Sequence, residues 1–251
     1  MSLEIITSPL LGPLRHGFFT RRGGASSGVF HGLNCGLGSS DMAEAVAINR
    51  QRVAAAMEVP GDHLVTVHQV HSPAVVVVEG VLDPVPRADA LVTKTPGVAI
   101  AVLTADCQPV LLADVAAGVI GAAHAGWRGA RDGVLGATVD AMVGLGATRA
   151  RIKAVIGPTI SQRNYEVGPE LLEDFMADDP ANSRFFTNGA GDRYLFDLPS
   201  FGLAQLRTAG VAEAAWTGHC TYGDAERFFS YRRATHAGEA DYGRLISAIR
   251  L

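Results

Sequence analysis

Val98-Ala-Ile-Ala-Val-Leu-Thr-Ala-Asp-Cys107-Gln-Pro-Val-Leu-Leu-Ala-Asp114, followed by Gly118-Val-Ile-Gly-Ala-Ala-His124-Ala-Gly-Trp-Arg-Gly129, forms the apolar centre of this 251-residue chain. Val98–Thr104 reads as a strand buried on both faces, because no polar residue alternates with the apolar ones. Val110–Asp114 and Val119–Ala123 read as a hairpin around Ala116-Ala-Gly118. The antiparallel register then sets Gln108 or Pro109 opposite His124, with Cys107 one or two pairs away. Cross-strand neighbours of this kind have Cβ atoms about 5–8 Å apart. Two donors on one zinc ion lie about 3.5 Å apart, a gap that side chains can close.

Working outward, His16–Thr20, Val65–Val67 and Ala74–Glu79 read as short strands. Asp41, with Glu44 three positions on, predicts a capped helix over Ala43–Met57, ended by Pro60-Gly61. Val134, Leu135, Thr138, Val139 and Met142 recur at helical spacing, so Arg131–Leu145 reads as one amphipathic helix. Pro169 suits the first turn of a helix through Met176. Asp197 and Gly210 bracket another. Strands and helices mix without strict alternation, which predicts an α+β (mixed α/β) fold. Apolar segments recur from end to end with no linker or repeat, so residues 1–251 are expected to form one domain.

Composition removes several function classes. The chain is 48% apolar, enough for a sizeable core. No apolar run reaches the roughly 18 residues of a membrane helix. The N-terminus lacks a basic region followed by an apolar core, which argues against a secretory signal. Three cysteines cannot all pair within one chain, which points to free thiols and a cytoplasmic location. A net charge of −4 argues against a general nucleic-acid binder, whose footprint is basic.

The candidate chemistry centres on Cys107 and His124, with His68 and His71 upstream in Val67-His-Gln-Val-His-Ser72. A thiolate and two imidazoles suit a zinc ion that keeps one position open. Spacing does not choose between His68 and His71. Three other readings share these residues. Cys107 could pack as a small hydrophobe while His124 bonds to backbone. Cys107 could instead be a nucleophile with His124 as its base, without metal, as in a Cys–His hydrolase. The chain could also be a ligand-binding or scaffold protein with a vestigial site. Cys35 and Cys220 read as structural. Arg21, at Arg21-Arg22-Gly-Gly, and Arg128, at Trp127-Arg128-Gly, are candidates for gripping phosphate. A third candidate is the Tyr231-Arg-Arg233 turn. Asn34, Gln69 and Glu166 are polar residues in apolar contexts, suited to orienting a substrate or to satisfying buried backbone groups. Asp106 and His68 are the candidates for moving a proton, although an extended strand would turn Asp106 away from Cys107.

Taken together, His16-Gly-Phe-Phe-Thr-Arg21, Val67-His-Gln-Val-His-Ser72, Leu103-Thr-Ala-Asp-Cys-Gln-Pro-Val110 and His124-Ala-Gly-Trp-Arg-Gly129 resemble the laccase-domain family. Its members were once called multicopper polyphenol oxidases and are now regarded as purine nucleoside phosphorylases. Ile156–Ser161, Tyr165–Gly168, Cys220-Thr-Tyr222 and Phe228–Arg233 extend the resemblance over nearly the whole chain. It implies a single-domain layered sandwich of mixed β-sheets flanked by helices. It implies zinc held by His71, Cys107 and His124, which would be the catalytic group. It implies phosphorolysis of adenosine, inosine, guanosine and methylthioadenosine, together with adenosine deamination. Purine nucleosides and phosphate are then the partners, and a monomer or homodimer the working unit. Two departures touch the substrate rim: a longer segment Ala234–Tyr242 before Gly243-Arg244, and Leu37-Gly-Ser-Ser-Asp41 where a histidine is commoner. The older laccase name needs several coppers held largely by imidazoles. Eight histidines and no His-x-His pair make that a poor match.

Overall fold

In the computed structural model, which describes residues 2–251, two β-sheets pack face to face. The five-stranded sheet has the order Ile5–Ile6, Arg15–Phe19, Leu245–Arg250, Ala99–Thr104, Leu64–Val65. The six-stranded sheet runs Glu213–Trp216, Lys153–Ile156, Gln108–Asp114, Val119–Ala125, Ala90–Thr93, Val75–Val77. Both sheets are mixed. Leu64–Val65 runs parallel to Ala99–Ile100, whereas Leu245–Arg250 runs antiparallel to the same strand. A small antiparallel sheet joins Glu166–Val167, Tyr194–Phe196 and Phe186–Asn188.

Alternation along each strand explains the layers. Ile100 and Val102 face the six-stranded sheet, where they meet Leu91, Leu111, Ile120 and Val155. Their neighbours Ala99 and Ala101 face the other way, against Val53 and Ala54 of the Ala43–Ala56 helix and Met57 just after it. On the far side of the six-stranded sheet, Val110, Leu112 and Ala123 pack under Val134, Leu135 and Val139. Helices therefore cover both outer faces, and every residue from Ala99 to Val102 is fully buried. A strand with no wet face needs no polar alternation, which is why it reads as an unbroken apolar run. Three mixed or antiparallel sheets with flanking helices make this the α+β fold expected from the residues and the layered sandwich that the resemblance implied.

Several local expectations are corrected. The helix expected over Arg131–Leu145 starts later, as Val134–Gly144, and Arg131 instead ends a separate short helix, Trp127–Arg131. Gly133 breaks them apart at φ 91°, a left-handed conformation that glycine adopts without steric cost. The apolar set from Val134 to Met142 is buried as expected. Asp41 does not cap the first long helix; its N-cap is Met42, with no side-chain bond. The Asp41 carboxylate instead accepts from Asn34 Nδ2 (2.9 Å) and from its neighbour Met42 N. The expected strands at 65–67 and 74–79 shorten to Leu64–Val65 and Val75–Val77. By contrast, Pro169 does open a helix, Pro169–Asp178, and Asp197 caps Leu198–Thr208 through Ser200 N.

Candidate metal centre

The chain leaves the five-stranded sheet at Thr104 and enters the six-stranded sheet at Gln108. The residues between must turn sharply, and Asp106 does so at φ 88°. A non-glycine residue there needs outside support. Asp106 O accepts from Thr159 Oγ1 (2.6 Å) and Ile160 N (3.0 Å). Its carboxylate accepts from Thr221 Oγ1 (2.6 Å), Ser230 Oγ (2.9 Å) and Arg232 N (2.7 Å). The Asp106 side chain is thus anchored to the C-terminal third of the chain. It is turned away from Cys107, which removes it as a proton donor at the site. The reason is this turn and not the extended strand expected from sequence.

Cys107 emerges beside His124. The observed register pairs Pro109 with His124 and Gln108 with Ala125, one of the two registers expected. The third member is His71, which resolves the choice left open between it and His68. The donor atoms of His71, Cys107 and His124 all lie within 4.8 Å of one another. His71 Nε2 is 3.8 Å from Cys107 Sγ, and the two imidazole rings meet edge to face at 4.7 Å. A shared zinc ion would draw such donors to about 3.5 Å, so the group fits one ion with small side-chain adjustment. Gly126 makes room for it. A Cβ there would stand 2.8 Å from Cys107 Sγ and 2.9 Å from His71 Cδ2.

Asp89 organises this group, and it was absent from the sequence-derived candidates. It is fully buried. Oδ1 accepts from His124 Nδ1 at 2.8 Å, which leaves Nε2 as the donor toward a metal. The same carboxylate accepts from His71 N (2.9 Å), Ser72 N (2.6 Å), Ser72 Oγ (2.9 Å) and Val70 N. These bonds shape the loop in which His71 sits at φ 60°. One carboxylate therefore fixes two of the three candidate ligands. A signal was available: Asp89 stands alone in the apolar run Ala88-Asp-Ala-Leu-Val92. Its partners could not be named from spacing.

The electrostatics follow from this arrangement. Burial alone would push the Asp89 carboxyl up, but the His124 and Ser72 hydrogen bonds hold it well below the ordinary carboxylate range. Burial would likewise raise the Cys107 thiol, yet attraction to His124, with hydrogen bonding to His124 and His71, brings it down to about 7. His124 moves the opposite way. Burial lowers it, but the Cys107 thiolate and Asp89 carry it up to about 9. The thiol is thus primed to ionise, as either a metal ligand or a nucleophile requires. Cys35 differs: its burial pushes the thiol up to about 12, in keeping with a structural role.

The three candidate ligands border a cavity of about 700 Å³, whose lining includes His68, Gln69, Arg87, Tyr242 and Arg244. The other sequence candidates divide. Gln69 lies at the cavity, but its amide is committed to Leu103, donating to O (2.8 Å) and accepting from N (2.7 Å). Asn34 is fully buried and holds the rim from behind. Its Oδ1 accepts from Gly36 N and Arg244 N, and its Nδ2 donates to Ser39 and Asp41. Arg21 is elsewhere: its guanidinium donates to His31 O and Ala225 O, beside a separate cavity of about 550 Å³. Arg128 is exposed, with its guanidinium over Trp127 at 5.1 Å, and does not line the metal-centre cavity. Glu166 lies at yet another cavity, and Arg233 spends its guanidinium on Thr221, Tyr222 and Phe228 carbonyls.

Residues 15–251 match the family described as multi-copper polyphenol oxidoreductase laccase, and the chain belongs to that family. Among similar proteins, one from Deinococcus radiodurans called purine nucleoside phosphorylase is 42% identical over 249 residues, covering 99% of this chain and 93% of the relative. The Escherichia coli protein called purine nucleoside phosphorylase YfiH is 40% identical over 219 residues, covering 87% of this chain and 88% of its own. A Neisseria meningitidis crystal structure superposes with a TM-score of 0.90 at 35% identity, covering 100% of this chain and 99% of the other. YlmD from Geobacillus stearothermophilus gives 0.88 at 30% identity, covering 97% and 93%. No helix of the described residues is long and apolar enough to cross a membrane.

Proposed function

We propose that the chain is a zinc-dependent purine nucleoside phosphorylase that accepts adenosine, inosine, guanosine and methylthioadenosine and also deaminates adenosine. The observation that carries this reading is the convergence of His71, Cys107 and His124 at the edge of a cavity of about 700 Å³. That volume lies within the range of small-molecule sites, roughly 300–1,000 Å³. The relatives' names supply the reaction class. One thiolate and two imidazoles suit zinc better than a set of coppers, and a laccase needs several such groups. Zinc, when bound, supplies a Lewis acid at the cavity edge. The protein's own part is to hold its ligands ready. Asp89 fixes the tautomer of His124 and the bend at His71, and the Asp106 turn presents Cys107. Tyr242 offers an aromatic surface at the rim against which a purine can stack.

A second reading, a metal-free thiol hydrolase, is favoured by one observation. Cys107, His124 and Asp89 form a relay with the thiol lowered, the imidazole raised and a carboxylate behind it. Metal analysis of the purified protein separates the two readings, followed by chromatography of inosine and adenosine with and without phosphate. Stoichiometric zinc, and free base formed only with phosphate, is the expected result. Inosine formed from adenosine without phosphate reports the deaminase activity. Full activity in zinc-free protein would replace the metal reading with the thiol one. Nucleoside binding with no product over long incubation would leave a binding protein.

A further inference from the structure

The cavity at the metal centre contains no carboxylate among its lining residues, yet it holds Arg87, Arg244 and His68. The chain as a whole carries a net charge of −4. A cleft of one sign on a protein of the other attracts and concentrates ions of opposite charge. Two of these residues are placed by backbone pairing. His68 N donates to Pro86 O (3.0 Å), and Ala88 N donates to His68 O (3.1 Å), so His68 and Arg87 are partners in a parallel bridge. Bridge partners carry their side chains on the same side of the ribbon.

Arg87 precedes Asp89 by two residues, so alternation along the extended backbone sends both side chains to one side. That is the side on which Asp89 meets His124 and the His71 loop. The intervening Ala88 is fully buried in the inter-sheet core. Asp89 forms no ion pair with Arg87; its oxygens accept from His124 and from the amides and hydroxyl of residues 70–72. Arg87 is exposed and has no ion pair among the described residues. Arg244, by contrast, spends Nη1 on Tyr242 O (2.9 Å) and Asp241 (3.5 Å). Arg21, one of the arginines the sequence offered, is spent on carbonyls at another cavity.

We propose that Arg87, with the His68 imidazole beside it, anchors the inorganic phosphate co-substrate. This rests on the phosphorylase reading. A phosphate oxygen forms a bond to the sugar C1′ while the C1′–N9 bond breaks. The bonding pair leaves with the purine, which takes up a proton from solvent, and the products are free base and sugar 1-phosphate. Holding the anion is the task of Arg87, whose guanidinium matches two phosphate oxygens at once. His68 thereby belongs with the anion and not with the departing purine.

The test uses the full chain with its metal, comparing wild type, Arg87→Gln and Arg87→Lys. Arg87→Gln is expected to raise the KM for phosphate about 10- to 100-fold, the loss of a charge-assisted pair. The KM for inosine and the zinc content should stay unchanged, and Arg87→Lys should recover part of the loss by restoring the charge. An unchanged phosphate KM in Arg87→Gln overturns the proposal while leaving the phosphorylase reading intact. If wild type performs no phosphorolysis, calorimetric titration with inorganic phosphate decides. Binding that Arg87→Gln abolishes sustains the anion site although the phosphorylase reading fails. Absence of binding, or equal binding in both, overturns the site.

Discussion

Asp89 and Asp106 are both buried carboxylates beside the same centre, and they do opposite things. Asp106 is the chain neighbour of Cys107, yet its side chain leaves the site to bind Thr221, Ser230 and the Arg232 amide. Asp89 is 18 positions before Cys107 in the chain, yet it orients His124 and moulds the His71 loop. The first sustains the turn; the second sustains the ligands. Adjacency in sequence is thus a poor guide to function where a strand ends in a sharp turn. Successive side chains diverge there, while cross-strand neighbours converge.

That contrast can be broken at four points. The largest effect is expected from Cys107→Ala, which removes the sulfur both carboxylates serve. Zinc content by elemental analysis and phosphorolysis of inosine should both vanish. Retention of either would detach the centre from the activity. Next comes Asp106→Asn, which places an amide among donors that need an acceptor. It should cost about 3 kcal/mol of stability by denaturant unfolding. The protein that remains folded should still carry zinc. Loss of zinc at unchanged stability would show that Asp106 acts on the ligands after all.

Asp89→Asn should do the converse. Zinc affinity, measured by competition with a chelator, is expected to fall about 10- to 100-fold, as is usual when a histidine ligand loses its supporting carboxylate. An unchanged affinity would reduce Asp89 to a loop residue. The smallest effect concerns acid stability. Asp89 and Asp114 are both held below the ordinary carboxyl range, against burial: Asp89 mainly by His124, Asp114 by the Thr148 amide and Arg151. A depressed folded-state pKa stabilises above the unfolded value of about 3.9 and loses that contribution as pH falls toward the folded value. The melting temperature should therefore drop on acidification below about pH 4. Asp114→Asn should flatten part of that slope, and an identical slope would exclude its contribution.

Much of this was legible in the chain. The Val98–Ala125 region announced buried strands and a hairpin because continuous apolar residues suit strands covered on both faces. The hairpin narrowed the residue opposite His124 to Gln108 or Pro109, and the fold selects Pro109. What could not be read was every contact made across sheets and loops. Gly133 looked compatible with one helix until its left-handed backbone split it. Asp41 looked like a cap until Asn34 claimed its carboxylate. Arg21 and Arg87 are chemically equal on paper, and packing alone sends one to backbone carbonyls and the other to the cavity.

Residue identity and spacing were enough to specify a mixed α+β class of fold, the hairpin, and a sulfur and an imidazole within reach of each other. Those features depend on local periodicity and on side-chain chemistry, both of which are properties of short segments. Which histidine stands beside Cys107 (spacing left it open, and only the resemblance named His71), the partners of Asp89 and Asp106, and the face on which Arg87 lies were decided by three-dimensional packing. They depend on where distant backbone donors end up, and a buried carboxylate binds whichever donors the fold brings to it.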